Sequence, residues 1–258
     1  MLSKSKIKLI RSLEQKKERD KHQLFVAEGE KTVGELISSS ALEVSCVLAR
    51  RDWLEQTDDS LLSKVPEVVE VNEKELSQIS FLRTPNQAVA LVRLPQYTLD
   101  ATELTDVLSL YLDGIQDPGN LGTIIRLADW FGIRHVLCGE GCADPFGTKT
   151  VQSTMGAIIR VKTHKTAKDF LQNLKEQQPD FPVYGTFLDG ENLYNASLSS
   201  KGMIVMGNES KGISHDIAQY VNRRLFIPQY PLHGGAPTSE SLNVAAAAAI
   251  VCAWFRRV

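Results

Sequence analysis

The stretch DGIQDPGNLGTIIRLADWFGI, Asp113–Ile133, decides how this chain is read. It follows the apolar run VLSLYL (107–112) and opens into an apolar-periodic segment, so it reads as strand, glycine turn and helix. Such a turn gathers free backbone N–H groups at a helix start and can cradle a phosphate. As a dinucleotide fingerprint it is poor, because G-x-x-G stands in place of G-x-G-x-x-G and no Lys-Ser/Thr pair marks a P-loop. Two residues exceed what a plain cradle needs. Asn120 offers both donors and acceptors. Arg126 carries a guanidinium that can grip a phosphate through two parallel hydrogen bonds. The same residues also fit an ordinary turn, a packing glycine and a surface arginine.

Outward from this stretch, residues 106–258 alternate. Short apolar segments predict strands at 107–112, 134–138, 157–162, 182–187, 202–206 and 223–227. Helices are predicted near 121–131, 166–177, 213–220 and 241–256. That order implies an α/β fold whose parallel sheet is covered on both faces, with ligands held outside the carboxyl ends of the strands. Two further loops follow apolar strands. In IVMGNESKGIS (204–214), Gly207 and Gly212 bracket Asn208, Glu209, Ser210 and Lys211. In IPQYPLHGGAPTSESLNVAAAAAI (227–250), a loop with Gly234, Gly235 and Pro237 leads to Ser239, Glu240, Ser241 and Asn243 at the head of an alanine-rich helix. Caps and solvated turns would use the same residue types.

Residues 1–93 form a second, smaller α/β pattern. It opens on a basic amphipathic helix with Ile7, Ile10 and Leu13 at helical spacing. Then come a strand LFVAEG, a helix KTVGELISSS, a strand VSCVLAR, a helix near 52–63, a short PEVVEV, a helix EKELSQIS and a strand AVALVRL. Residues 94–105, with Pro95 and no periodicity, read as a linker. The chain has 258 residues, 43% hydrophobic and 23% charged, which suits two compact domains. Net charge is only −2, yet residues 1–22 hold eight Lys/Arg against three acids. That asymmetry fits either a polyanion-facing segment or a solvated basic helix. Cys46, Cys138, Cys142 and Cys252 complete no zinc set and read as reduced thiols, as in the cytoplasm. No apolar run reaches membrane-spanning length, and no signal-peptide core is present.

The three loops, in this order and spacing, resemble the signature motifs of the SpoU (TrmH) class of SPOUT RNA ribose methyltransferases. The residues are N-L-G-T-I-I-R with Asn120 and Arg126, G-N-E-S-K-G with Glu209, and I-P-…-S-L-N-V-A-A-A with Ser241 and Asn243. The N-terminal IKLIRSLEQKKERDKHQLFVAEGEKTVGEL resembles that class's substrate-binding domain. The resemblance implies a C-terminal trefoil knot, although knots are very rare among folds generally. It implies S-adenosylmethionine as cofactor, held by Met206, Gly207, Asn208, Gly212, Ile227, Gln229, Ser241 and Leu242. Asn120, Arg126, Glu209, Ser241 and Asn243 become the expected catalytic set, with Asn120 and Arg126 facing RNA across a homodimer interface. Lys16, Lys17, Arg19 and Lys149 become the expected RNA contacts, and no metal or membrane is implied. Structured RNA is the expected partner, ribosomal RNA ahead of transfer RNA. Three positions depart from the family's usual pattern: Ser210 after the glutamate, Ala245 after S-L-N-V, and Gln152 where an arginine is common. They leave open a non-catalytic RNA-binding protein that keeps the fold. A Rossmann-type nucleotide enzyme, with Glu140 about 20 residues beyond the glycine turn, is the other alternative.

Overall fold

The structure is a computed structural model, and it describes residues 2–230 and 241–257. The chain divides into two compact units, one of Met1–Gln96 with Asp144–Arg160, the other of Tyr97–Ala143 with Val161–Val258.

The first unit begins with α1 (Lys4–Ser12) and α2 (Lys16–His22), so the basic segment is two helices broken near Leu13. Then come β1 (Leu24–Glu28), α3 (Glu30–Ser38) and β2 (Val44–Ala49). The helix expected over 52–63 is two, α4 (Arg51–Gln56) and α5 (Asp59–Leu62). The break falls at Asp58, whose carboxylate accepts the Ser60 N–H at 2.8 Å and restarts the helix. β3 (Val68–Glu70), α6 (Glu73–Ile79) and β4 (Ala88–Arg93) follow. The sheet order is β1-β4-β2-β3, antiparallel except for the β2–β3 pair. Its core gathers Ile10, Leu13, Val26, Leu48, Ile79 and Leu91, which includes two of the three residues that set the helical spacing of the first segment.

The second unit carries β5 (Leu108–Leu112), α7 (Pro118–Trp130) and β6 (His135–Cys138). The chain then contributes α8 (Thr148–Thr154) to the first unit, where Phe146 lies against Phe25 with ring centroids 5.1 Å apart. It returns as β7 (Lys162–Lys165), α9 (Phe170–Gln177), β8 (Val183–Asn192), β9 (Gly202–Met206), α10 (His215–Ala218), β10 (Arg223–Phe226) and α11 (Val244–Phe255). All six strands are parallel, in the order β10-β8-β9-β5-β6-β7. The expected parallel α/β sheet is therefore present. Tyr111, Leu137, Leu174, Val183, Met203 and Val205 build its core.

Two further sequence expectations need correction. The strand expected at 157–162 is a buried 3-10 turn, Ala157–Ile159, with the strand displaced to 162–165. Met155 (φ 51°) and Gly156 (φ 91°) turn the chain in left-handed conformations, so the apolar run behind them packs as a turn. A short apolar run cannot by itself separate these outcomes. β8 also continues five residues past the predicted end at 187. Its tail, LDGEN, reads as a turn, but Glu191 and Asn192 pair with Leu225 and Phe226 of β10 after a large register shift. Residues 231–240, with Gly234, Gly235, Pro237, Ser239 and Glu240, lie outside the described residues. The expected C-terminal knot is not established by the described residues.

Candidate functional site

β5 and β9 lie side by side, with Leu112 level with Met206. From β5 the sheet grows one way through β6 and β7, and the other way through β9, β8 and β10. The loops after β5 and β9 therefore part at the switch point, where an open parallel sheet leaves a crevice. Two contacts tie these loops together. Asn208 Nδ2 donates to the Gly114 carbonyl at 2.7 Å, and the Ser214 N–H donates to Asp113 Oδ2 at 2.6 Å.

Each loop is shaped by its own polar residues. In the first, Asp117 caps α7 by accepting the Asn120 N–H at 2.8 Å, and Pro118 takes the first helical position. In the second, the Asn208 and Gly212 backbones exchange two hydrogen bonds of 2.9 Å. The Asn208 Oδ1 accepts the Ser210 and Lys211 N–H groups at 2.9 and 3.0 Å. Gly207 is required here, because a Cβ would sit 2.3 Å from the Gly212 carbonyl carbon. The loop thus folds back tightly and presents Glu209 at its tip.

A hydrogen-bond chain joins all three loops. Asn243 caps α11, its Oδ1 accepting the Ala245 and Ala246 N–H groups at 2.9 and 3.2 Å. With that oxygen occupied, its amide Nδ2 donates to Asn120 Oδ1 at 3.0 Å. Asn120 in turn donates from Nδ2 to Glu209 Oε1 at 2.8 Å. The amide orientations follow from the ends of the chain: a helix start can only donate, and an ionised carboxylate only accepts. Asn120 and Glu209 are half-buried and Asn243 is exposed, so the array faces outward from a fixed base.

Beside it lies a cleft of about 720 Å³, within the range of small-molecule sites. Its walls combine Met206–Ile213, Ile227–Tyr230 and Ser241–Leu242 with Thr186–Asp189 of β8, of which Leu188 and Asp189 lie beyond the predicted strand end. Thus Met206, Gly207, Asn208, Gly212, Ile227, Gln229, Ser241 and Leu242 all line one cleft, together with the expected catalytic residues Glu209 and Ser241. Leu188, Tyr230 and Leu242 are exposed apolar residues there, a surface suited to a flat ring. An S-adenosylmethionine molecule fits such a donor set. Apolar walls suit the adenine, and the glycine backbone at Gly207 permits close approach.

Arg126 stands apart. It lies on the exposed face of α7 with Thr123 and Trp130, outside the residues lining the cleft, and it makes no hydrogen bond or ion pair with the described residues. The expected RNA contacts are all in the first unit. Lys16, Lys17 and Lys149 are exposed. Arg19 is not a surface residue: it is 3% exposed. Its guanidinium donates to the Leu13 and Glu14 carbonyls at 2.7 Å and pairs with Asp144 at 2.6 Å. Those bonds close the α1–α2 break, so Arg19 leaves the RNA-contact set and becomes part of the fold. The sequence reading passed over Gly114, Asp117 and the β8 tail. Only Asp117 left a signal, as the Asp-Pro of a helix start.

A parallel sheet with a cleft at its switch point places this chain among the α/β proteins that bind nucleotide-like ligands. The comparisons narrow that class. The profile of the "SpoU rRNA Methylase family" matches residues 107–253, and that of the "MRM3-like substrate binding domain" matches residues 4–90. The chain belongs to the SpoU rRNA methylase family. It is 32% identical to the 23S rRNA (guanosine(2553)-2′-O)-methyltransferase RlmP of Bacillus subtilis, over 95% of this chain and 94% of that protein. Among solved structures it is similar to a putative RNA methyltransferase of the TrmH family from Porphyromonas gingivalis, with 40% identity, a TM-score of 0.86, and coverage of 99% and 98%. It is similar as well to an AdoMet-bound rRNA methyltransferase from Sinorhizobium meliloti, with 29% identity, a TM-score of 0.85, and coverage of 99% and 95%. Among the described residues no helix is long and apolar enough to cross a membrane, and no group of His, Cys, Asp or Glu is arranged to hold a metal.

Proposed function

We propose that this chain transfers a methyl group from S-adenosylmethionine to the ribose 2′-hydroxyl of a nucleotide in structured RNA, ribosomal RNA being the substrate class. The observation that carries this is the Asn243–Asn120–Glu209 chain at the edge of the cleft. When bound, the cofactor supplies a methyl group on a sulfonium, and the transfer needs no metal. The protein's part is to place a weak nucleophile against it. Among the described residues nothing donates to Glu209 Oε2, and Asn120 keeps one amide proton, so the pair can orient a hydroxyl. Arg126 binds the neighbouring phosphate and stabilises negative charge developing on the ribose oxygen. It is not the base, because a guanidinium has donors only and no free lone pair to take a proton; the proton leaves through the phosphate or a water.

The exposed position of Arg126 supports a homodimer in which Arg126 of one copy reaches the cleft of the other. α11 buries Val244, Ala248, Val251 and Phe255 but leaves Ala246 and Ala253 exposed, and on α7 Trp130 is 83% exposed. Lone small residues at a helix surface with an open tryptophan suit close packing against a second copy. The same reading threads the C-terminal segment as the family's knot and places the protein in the cytoplasm, with Lys16, Lys17 and Lys149 on RNA phosphates.

Purified protein with labelled cofactor should methylate ribosomal RNA at 2′-oxygens. Arg126→Ala should lower the rate about 100-fold or more, as loss of a group acting on transition-state charge does. Co-expressed R126A and E209A chains should recover activity in mixed dimers. No recovery, or a monomer at micromolar concentration in sedimentation, would remove the cross-subunit assignment. Unchanged rates in both R126A and N120A would remove the site itself.

A further inference from the structure

β6 ends at Cys138, and the chain turns sharply over Gly139–Cys142, where the Cys142 N–H donates to the Gly139 carbonyl at 3.4 Å. Gly141 takes φ 79° within that turn. Cys138 pairs with Leu112 in the sheet, and the Cys142 thiol donates to the Leu112 carbonyl at 3.2 Å, so the turn carries Cys142 back beside Cys138. Cys138 is 3% exposed, whereas Cys142 is partly open to solvent. We propose that Cys138 and Cys142 are a peroxide-sensitive pair, with Cys142 attacking and Cys138 resolving to a reversible disulfide.

The chemistry balances. The Cys142 thiolate attacks one oxygen of hydrogen peroxide, the O–O bond breaks, and hydroxide leaves with a sulfenic acid formed on Cys142. The Cys138 sulfur then displaces the sulfenic hydroxyl, forming the S–S bond and releasing water. The environment favours this order. The neighbouring Cys138 thiol holds Cys142 below the ordinary thiol value, helped by the Ile115 and Gly114 N–H groups and opposed by burial. Burial pushes Cys46 up to about 11 and Cys252 up to about 12, so those thiols stay inert.

The pair also sits against the first loop of the cleft. The Cys142 thiol donates to the Leu112 carbonyl at 3.2 Å, and the next N–H, of Ala143, donates to the Ile115 carbonyl at 2.8 Å. Between these lies Gly114, whose carbonyl holds Asn208. Drawing Cys142 toward Cys138 removes its bond to Leu112 and loosens the anchor of the Glu209 loop. This consequence, unlike the disulfide, rests on the function proposed above.

Trypsin releases both cysteines, and no others, in the segment His135–Lys149. After equimolar hydrogen peroxide, that segment of the full chain should lose two hydrogens and regain them with dithiothreitol. Cys138→Ser should trap a dimedone-reactive sulfenic acid at Cys142, and Cys142→Ser should leave Cys138 unreacted. Overoxidation of Cys142 without a disulfide, or reaction of Cys46 or Cys252 first, would overturn the pairing. Calorimetry should show S-adenosylmethionine binding weakened about tenfold by peroxide, the worth of one lost anchoring bond, in the native chain and not in C138S. Equal affinities would overturn the link to the cleft. If neither form bound the cofactor while the disulfide formed, the proposed function would fail and the redox pair would stand.

Discussion

The two units use their polar side chains in opposite ways. In the first, Arg19 is buried and all three guanidinium nitrogens turn inward, onto Leu13, Glu14 and Asp144. Glu28 is likewise turned inward, accepting from Ser80 and from the Phe81 N–H at 2.8 Å, with burial raising its pKa. In the second unit, Asn120, Asn208, Asn243 and Glu209 bridge separate loops and leave part of their bonding capacity facing out. Charge alone is therefore a poor guide to a binding residue, since a guanidinium satisfies backbone carbonyls as readily as phosphates. An amide positioned between loops is a better guide, because its bonds fix both its place and its orientation.

The largest expected effect breaks that contrast from the first unit. Arg19→Ala should destabilise the protein by about 3 kcal/mol, because the Asp144 carboxylate and two carbonyls lose their partner inside the fold. Urea unfolding measures it, and a loss below about 1 kcal/mol would return Arg19 to the surface set. Next comes acid. His135 Nδ1 and His164 Nε2 lie 3.1 Å apart with stacked rings, and His164 Nδ1 is buried with no partner among the described residues. Burial first, then His135 and Lys162, lower the His164 pKa to about 4, with Glu103 opposing. Burial also lowers His135. Between the ordinary value of 6.5 and about 4 the unfolded chain binds the extra proton, so stability falls as pH drops through that window and levels below it. The loss should be about 2 kcal/mol, read as a falling midpoint in thermal melts. His164→Gln should flatten the profile, and an unchanged slope would show that the pair is not what titrates. The smallest effect is Lys16→Ala with Lys17→Ala. These exposed lysines should weaken RNA binding less than tenfold and lower its salt slope by about 1.5, with stability unchanged. A normal slope would remove Lys16 and Lys17 from the proposed contacts and leave only Lys149.

Much of this was legible beforehand. The three loops announced themselves because glycine, asparagine and glutamate directly after buried strands have few structural uses, and Asn120, Glu209 and Asn243 do meet. The β8 tail was not legible. Leu188 and Asp189 line the cleft, but LDGEN carries turn residues, and its pairing depends on β10 more than 30 positions away. Cys138 and Cys142 were visible as a pair flanking GEG, but nothing in the spacing says that one is open and the other buried.

What the sequence by itself determined is the alternation of strands and helices, the position of the parallel sheet, and the residues at its carboxyl edge. These follow from local periodicity and from the few residue types that tolerate tight turns. What only the tertiary structure decided is which polar groups face inward. Arg19 and Arg126 are the same residue type, each on a helix, one 3% exposed and the other open. The difference is set by Asp144, 125 residues from Arg19. An ion pair of that separation has no local signature, because it is made by the packing of a returning segment and not by the residues beside it.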